Sequence, residues 1–347
     1  MNLVQLFIPE KGRRLGIVKS NILIDVTSKK ENIKSTYDAF IESQKENAKI
    51  DDFLKDLIDG SNCTEYDYTQ IFNHSPNDKN PFLLSPFDRN DPYRLLVSGT
   101  GLTHLGSMQS RDSMHTEEKS KESEPLTDSA KMFNMGLEGG KPKKYERGVS
   151  PEWFYKGNGN ILKGPNDSLE IPEYALDGGE EPEIAACYIV DKNGIPCRIG
   201  FTIGNEWSDH ETEKINYLYL APSKLRQCSI GPELITDLEF NDLEISCEIS
   251  RKDEILYRSG VTLSGENNMS HSLNNCEDHH FKYPEHRIPG DSHVHFFGTS
   301  KLSFTERKWN FNDGDQIKIS CNKFNKPLIN TVRKNEKVQT PIKILKS

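Results

Sequence analysis

No run of the sequence is both long and apolar enough to cross a bilayer, so a membrane span is not expected. The opening Met1-Asn2-Leu3-Val4-Gln5-Leu6-Phe7 lacks a basic segment followed by a long apolar one, and it reads as a first strand rather than a secretory signal. Positive charge is scarce: 44 Lys and Arg against 53 Asp and Glu leave a formal charge of −9. A nucleic-acid or anionic-membrane partner, which needs a basic face, is therefore not expected. The cysteines at positions 63, 187, 197, 228, 247, 276 and 321 are scattered, odd in number and form no CxxC pair. That spacing excludes a zinc knuckle and a disulfide framework, and reduced thiols in a cytoplasm are the expectation. There is no Gly-x-Ser-x-Gly elbow of a serine hydrolase. Gly157-Asn158-Gly159 and Gly139-Gly140 lack the strand–loop–helix setting of a phosphate cradle. Internal repeats are missing as well.

What is present suffices for a core. With 347 residues, 34% of them hydrophobic, the chain can form one large domain or a small domain beside a larger one. Residues 3–8 and 15–26 predict two strands around the turn Pro9-Glu10-Lys11-Gly12, with Ile17, Val18, Ile22, Leu23, Ile24 and Val26 as β-branched and aliphatic content. Residues 33–58 predict a helix, because Tyr37, Phe40, Ile41, Ile50, Phe53, Leu54 and Leu57 recur at helical spacing and Gly60 offers a stop. These elements make a small N-terminal α/β domain with a Pro- and Asn-rich linker, residues 1–90. Residues 91–347 form the second unit. Within it, 108–148 is a polar insertion, a solvated loop or a lid, in which Met132, Phe133, Met135 and Leu137 can dock a short helix. Beyond residue 152, short β-rich runs alternate with Gly, Asn, Asp and Pro turns, so the fold class is α+β and mainly β.

One constellation carries chemistry. Glu181 and Glu183 precede the apolar run Ile184-Ala185-Ala186-Cys187-Tyr188-Ile189-Val190. On a strand the period of two places both carboxylates on one face, and Pro182 marks a strand start or an edge. A second run, Ile199 to Gly204, follows the turn Asp191-Lys192-Asn193-Gly194 and predicts a hairpin that ends at Asn205-Glu206. Three carboxylates at one sheet end repel one another unless a cation neutralises them, and hard oxygen ligands suit Mg²⁺, Mn²⁺ or Ca²⁺. By spacing alone, a surface Glu pair is the plainer reading.

The ordered segments Glu181-Pro182-Glu183, Gly200-Phe201-Thr202-Ile203-Gly204-Asn205-Glu206 and Lys224 resemble the signature of the fumarylacetoacetate-hydrolase superfamily, as do Phe297-Gly298-Thr299 and the terminal run from Phe311 to Asn330. The likeness runs from about Leu96 to Val332. Within that superfamily the chain resembles the 2-keto-3-deoxy sugar-acid dehydratase branch. Three further segments carry this likeness: Pro151-Glu152-Trp153-Phe154-Tyr155-Lys156 with Gly164-Pro165, Lys224 with Cys228-Ser229-Ile230-Gly231-Pro232, and Gly101-Leu102-Thr103-His104-Leu105-Gly106-Ser107 with Arg111. Three departures stand out: Glu206 replaces the usual Asp, His104 stands where Tyr is common, and Ser107 falls where hydrolytic relatives carry a catalytic His.

The resemblance implies a mixed β-sheet roll with Glu181, Glu183 and Glu206 as ligands of Mg²⁺, Mn²⁺ or Ca²⁺. It implies Lys224, Ser107 and His104 as catalytic groups, and Arg111, Lys156 and Thr299 as contacts to a small 2-oxo acid. The activity it implies is that of a lyase: dehydration of a 2-keto-3-deoxy sugar acid through a metal-stabilised enolate, by a cytoplasmic homodimer. A fumarylacetoacetase-like hydrolase or decarboxylase of a β-diketo or oxaloacetate-like acid is the first alternative, and a non-catalytic sugar-acid-binding protein is the second. Other clusters have plainer readings. His293-Val294-His295 is expected to be ordinary strand alternation rather than a metal pair, and Asp278-His279-His280 a solvated loop.

Overall fold

The computed structural model describes residues 1–60, 62–76, 79–106, 127–335 and 340–346. It is mainly β with mixed sheets, as the sequence led us to expect. Among the described residues a 13-stranded sheet holds the hairpin Pro182–Val190 and Pro196–Asn205 near its centre, and a six-stranded sheet packs beside it. The hairpin is flanked on one side by Ser292–Phe296, which runs parallel to Leu95–Gly101, itself antiparallel to Glu152–Asn158.

All nine residues of Pro182–Val190 are buried, because the strand has partners at both edges and apolar packing on both faces. Its period of two sends Ile184, Ala186 and Tyr188 into one core, with Trp207, Phe240 and Phe297. Ala185, Cys187 and Ile189 enter a second core, with Leu3, Phe40, Leu95 and Phe296. Burying each large side chain of this kind contributes roughly 1.5–3 kcal/mol, so the sheet under the site is anchored from both faces.

The N-terminal strands Asn2–Ile8, Gly12–Lys19 and Ile22–Asp25 extend this same sheet, since Asn2–Ile8 pairs with Leu234–Ile235. The strand expected at 15–26 breaks at Ser20, whose φ of 57° turns the chain back on itself. The helix expected at 33–58 is two helices, Thr36–Lys45 and Ile50–Ile58. The first is capped by Ser35, and Asn47, at φ 53°, takes the left-handed conformation that ends it.

Ser107 and Arg111 lie outside the described residues, as does residue 108–126 of the expected insertion. The rest of that insertion holds a 12-residue helix, Asp128–Gly139, capped by Thr127 and docked through the buried Phe133. The C-terminal strands Gln316–Cys321 and Leu328–Lys334 pair antiparallel in the second sheet.

His279 and His280 are not in a solvated loop. They close the helix Leu273–Phe281, where His280 follows Leu273 and Cys276 on the buried face. His280 Nε2 lies 3.0 Å from His293 Nδ1, and His295 Nδ1 lies 2.9 Å from Ser98 Oγ. The pair on strand Ser292–Phe296 is thus part of a buried histidine cluster. Burial pushes His293 and His295 each down to about 3, so both rings are neutral.

Candidate active site

The hairpin brings the three predicted carboxylates together. Pro182 pairs with Asn205, and the Glu206 N–H donates to the Glu181 carbonyl at 3.0 Å, so Glu181 and Glu206 face each other across the open end. Glu183 stands two residues further in. Ligand oxygens of Glu181, Glu183 and Glu206 all lie within 4.8 Å of one another, and all three residues are buried. The extra methylene of Glu206, relative to an Asp, does not carry it away from the cluster.

Two ammonium groups meet these three carboxylates. Lys224, at the end of the short helix Leu220–Lys224, donates to Glu181, to Glu206 Oε2 at 2.5 Å and to Ser208 Oγ at 3.0 Å. Lys156, from strand Glu152–Asn158, lies 2.5 Å from Glu206 Oε1 and donates to the carbonyls of Trp207 and Lys224 at 2.6 and 3.1 Å. Glu183 instead accepts from the Gly298 N–H at 2.7 Å. Gly298 has φ 91°, and a Cβ there would fall 2.5 Å from Thr103 Oγ1, so this approach needs glycine.

Charge explains the protonation states. Burial raises the pKa of Glu181, but Lys224 and His210 outweigh it and hold the carboxyl well below its ordinary value. Glu183 goes the other way: burial, then the charges of Glu181 and Glu206, push it well above the carboxylate range. Burial would discharge Lys224, yet Glu181, Glu206 and Glu213 keep it an ammonium. Burial raises Glu206 as well, against the pull of Lys156 and Lys224. The donor set is all hard oxygen, with three buried carboxylates crowded together, which fits a divalent cation held by Glu181, Glu183 and Glu206.

The cavity above this floor is lined by Glu181, Glu183, Lys224 and Thr299, with Phe154 and Leu302 as apolar walls. Thr299, expected to touch substrate, is therefore at the cavity. Lys156 is not: its ammonium is spent on Glu206 and two carbonyls beneath the floor, a setting that does not match the expected contact to a substrate carboxylate. His104 is also absent from the lining. It is fully buried, 2.9 Å from Ser264 Oγ, and burial pushes its pKa down to about 4, so it packs behind the wall formed by Gly298.

Three titratable lining residues were not among the candidates: Glu152, His210 and Glu213. His210 Nε2 lies 3.1 Å from Glu181 Oε1. His210 and Glu213 share one face of the helix His210–Ile215, whose start is capped by Asp209. An acid-capped polar pair three residues apart was the available signal. Glu152 was visible only as part of the Pro151–Lys156 motif.

No protein-family model matches the chain. A protein of Haloferax volcanii described as a probable 2-keto-3-deoxyxylonate dehydratase is 29% identical over 175 residues, which are 49% of this chain and 56% of the relative. The match thus spans little more than half the length of that relative. Among solved structures, the apo form of 2-keto-3-deoxy-D-arabinonate dehydratase superposes with a TM-score of 0.69 at 20% identity, over 97% of this chain and all of that one. A fumarylacetoacetate hydrolase of Exiguobacterium antarcticum gives a TM-score of 0.59 at 14% identity, over 96% of this chain and all of that one. The fold is therefore shared with fumarylacetoacetate hydrolase and with the keto-deoxy sugar-acid dehydratase, in line with the resemblance carried by the motifs.

Proposed function

We propose that the protein is a divalent-metal-dependent hydro-lyase that dehydrates a 2-keto-3-deoxy sugar acid. The observation that carries this reading is the buried Glu181–Glu183–Glu206 triad with Lys224 reaching into it. The Haloferax volcanii relative supports the substrate class, and a solved structure of the arabinonate dehydratase in complex with magnesium and 2,5-dioxopentanoate supports the choice of cation.

When bound, a divalent cation supplies positive charge at the place where a 2-oxo acid gathers negative charge as its C3 proton leaves. The chain's own groups do the rest. Lys224, held as an ammonium at the cavity wall, places its positive charge beside the oxygen on which that negative charge develops. His210 orients Glu181 through its Nε2. Lys156 fixes Glu206 from below, out of reach of the substrate. Thr299 offers a hydroxyl at the cavity wall, and Phe154 and Leu302 keep water from the reacting carbons. Loss of the C3 proton and of the C4 hydroxyl together removes one water and breaks no carbon–carbon bond.

The same reading includes a cytoplasmic homodimer. The compartment is supported by seven free cysteines, and no helix among the described residues is long and apolar enough to cross a membrane. The dimer rests on the family resemblance. A mass-spectrometric screen of 2-keto-3-deoxy acids with Mg²⁺-loaded protein tests the activity. The expected product is lighter than its substrate by one water. Two shorter fragments would instead mark a hydrolase or decarboxylase, and tight binding without turnover would mark a binding protein.

A further inference from the structure

Glu181, Glu206 and Lys224 sit on three separate stretches of chain, and one buried guanidinium grips all three. Arg226 follows Lys224 by two residues, and its own N–H donates to the Lys224 carbonyl at 2.9 Å. Its Nη1 donates to the Asp177 carbonyl at 2.8 Å, in the stretch leading into Glu181, and to the Ser208 carbonyl at 2.9 Å, in the stretch leaving Glu206. Nη2 donates to Asp209 Oδ2 at 3.0 Å. Asp209 extends the tie: Oδ2 also accepts the Leu176 N–H at 3.0 Å, and Oδ1 accepts the Thr212 N–H at 3.1 Å, capping the helix that carries His210.

The stretch leading into Glu181 needs such a tie. Asp177 is followed by Gly178-Gly179, and glycine restricts the backbone least. Packing requires both glycines, since a Cβ at 178 would fall 2.4 Å from the Trp207 ring and one at 179 would fall 2.0 Å from His210 Nδ1. Backbone this permissive does not by itself hold Glu181 against the charge of Glu206. Gly179 and Ser208 exchange two backbone hydrogen bonds, at 3.0 and 2.9 Å, and Arg226 closes the end of that short ladder. A planar guanidinium serves two carbonyls and a carboxylate at fixed angles, a geometry that the point charge of a lysine lacks.

Arg307 offers a comparison within the same molecule. The side chains of Arg226 and Arg307 are each 3% exposed. Arg307 pairs with the Asp177 carboxylate and donates to the Gly178 carbonyl at 3.1 Å, so among the described residues it grips the Glu181 stretch without the other two.

We propose that Arg226 is a positioning residue that fixes the spacing of Glu181, Glu206 and Lys224, so that a divalent cation meets carboxylates already gathered. This rests on the reading of the triad as a cation site.

The test is Mn²⁺ titration of the whole chain, read by electron paramagnetic resonance, with thermal unfolding measured alongside. Arg226→Lys keeps the positive charge but loses the fork, and is expected to weaken Mn²⁺ binding about tenfold or more. Arg307→Lys disturbs a comparably buried pair, and is expected to lower Tm while leaving Mn²⁺ affinity within about threefold of wild type. Asp209→Asn keeps an oxygen for the Thr212 cap but offers no carboxylate to Nη2, and is expected to weaken Mn²⁺ binding as well. It stands in for Arg226→Lys should that variant fold poorly. Wild-type Mn²⁺ affinity in Arg226→Lys or in its stand-in, or equal weakening by both arginine variants, overturns the inference and leaves the cation reading standing. No Mn²⁺ binding by the wild type overturns both.

Discussion

The Lys156 ammonium lies 2.5 Å from Glu206 Oε1, and neither side chain has any exposure to solvent. This pair sits beneath the cavity rather than in it, and Lys224 approaches the other oxygen of the same carboxylate. Glu206 is thus held between two lysines on separate elements, one strand and one short helix.

Lys156→Met removes one side of this pair and leaves Glu206 buried with less counter-charge. Breaking a buried pair on one side costs about 3–5 kcal/mol, and thermal unfolding of the variant without divalent cation should show a loss of that order. Saturating Mg²⁺ should raise the variant's Tm by more than it raises that of the wild type, because a cation at the triad supplies the missing charge. Equal shifts in both proteins would separate Glu206 from the metal site.

Lys224→Met should act on catalysis. An ammonium that stabilises developing charge matters more in the transition state than in the bound substrate, so kcat should fall on the order of a hundredfold or more. A raised KM with kcat preserved would make Lys224 a ground-state contact only. Steady-state kinetics on the acid that the mass-spectrometric screen identifies separates the two roles.

Acid should destabilise the fold through its buried histidines. His293 and His295 titrate at about 3 when folded, against an ordinary 6.5. Between those values the unfolded chain binds more protons than the folded one, so stability is complete above pH 6.5 and declines as pH falls toward 3. At pH 5 each ring accounts for a loss of roughly 2 kcal/mol. Urea midpoints at pH 7 and pH 5 measure it, and His295→Gln should reduce the difference between them. A midpoint that does not move would mean that both rings titrate in the folded protein as they do in the unfolded chain.

The parts of the site that are local in sequence were legible there. Glu181 and Glu183 follow from strand periodicity, and Glu206 follows from the hairpin that returns beside them. Lys224 and Thr299 were reached through motif resemblance, since their segments meet the triad only in three dimensions. Lys156 was noticed, but its burial against Glu206 is a contact across 50 residues that no local pattern encodes. The same holds for Glu152, seated by Gly101 from a neighbouring strand. His280 was misplaced because Asp278-His279-His280 is polar as a string, whereas its spacing from Leu273 and Cys276 puts His280 on the inner face of a helix. The break at Asn47 turned one expected helix into two through backbone conformation at a single residue.

The central claim is that Glu181, Glu183 and Glu206 hold a divalent cation, and Mn²⁺ titration followed by electron paramagnetic resonance tests it most directly. Free Mn²⁺ gives a sharp signal that is lost on binding, so the readout does not depend on turnover. The wild type should bind one Mn²⁺ per chain in competition with Mg²⁺. Glu183→Gln removes one of three anionic ligands and should weaken binding strongly while the fold, checked by circular dichroism, persists. Unchanged Mn²⁺ affinity in Glu183→Gln, or no binding by the wild type, would contradict the account.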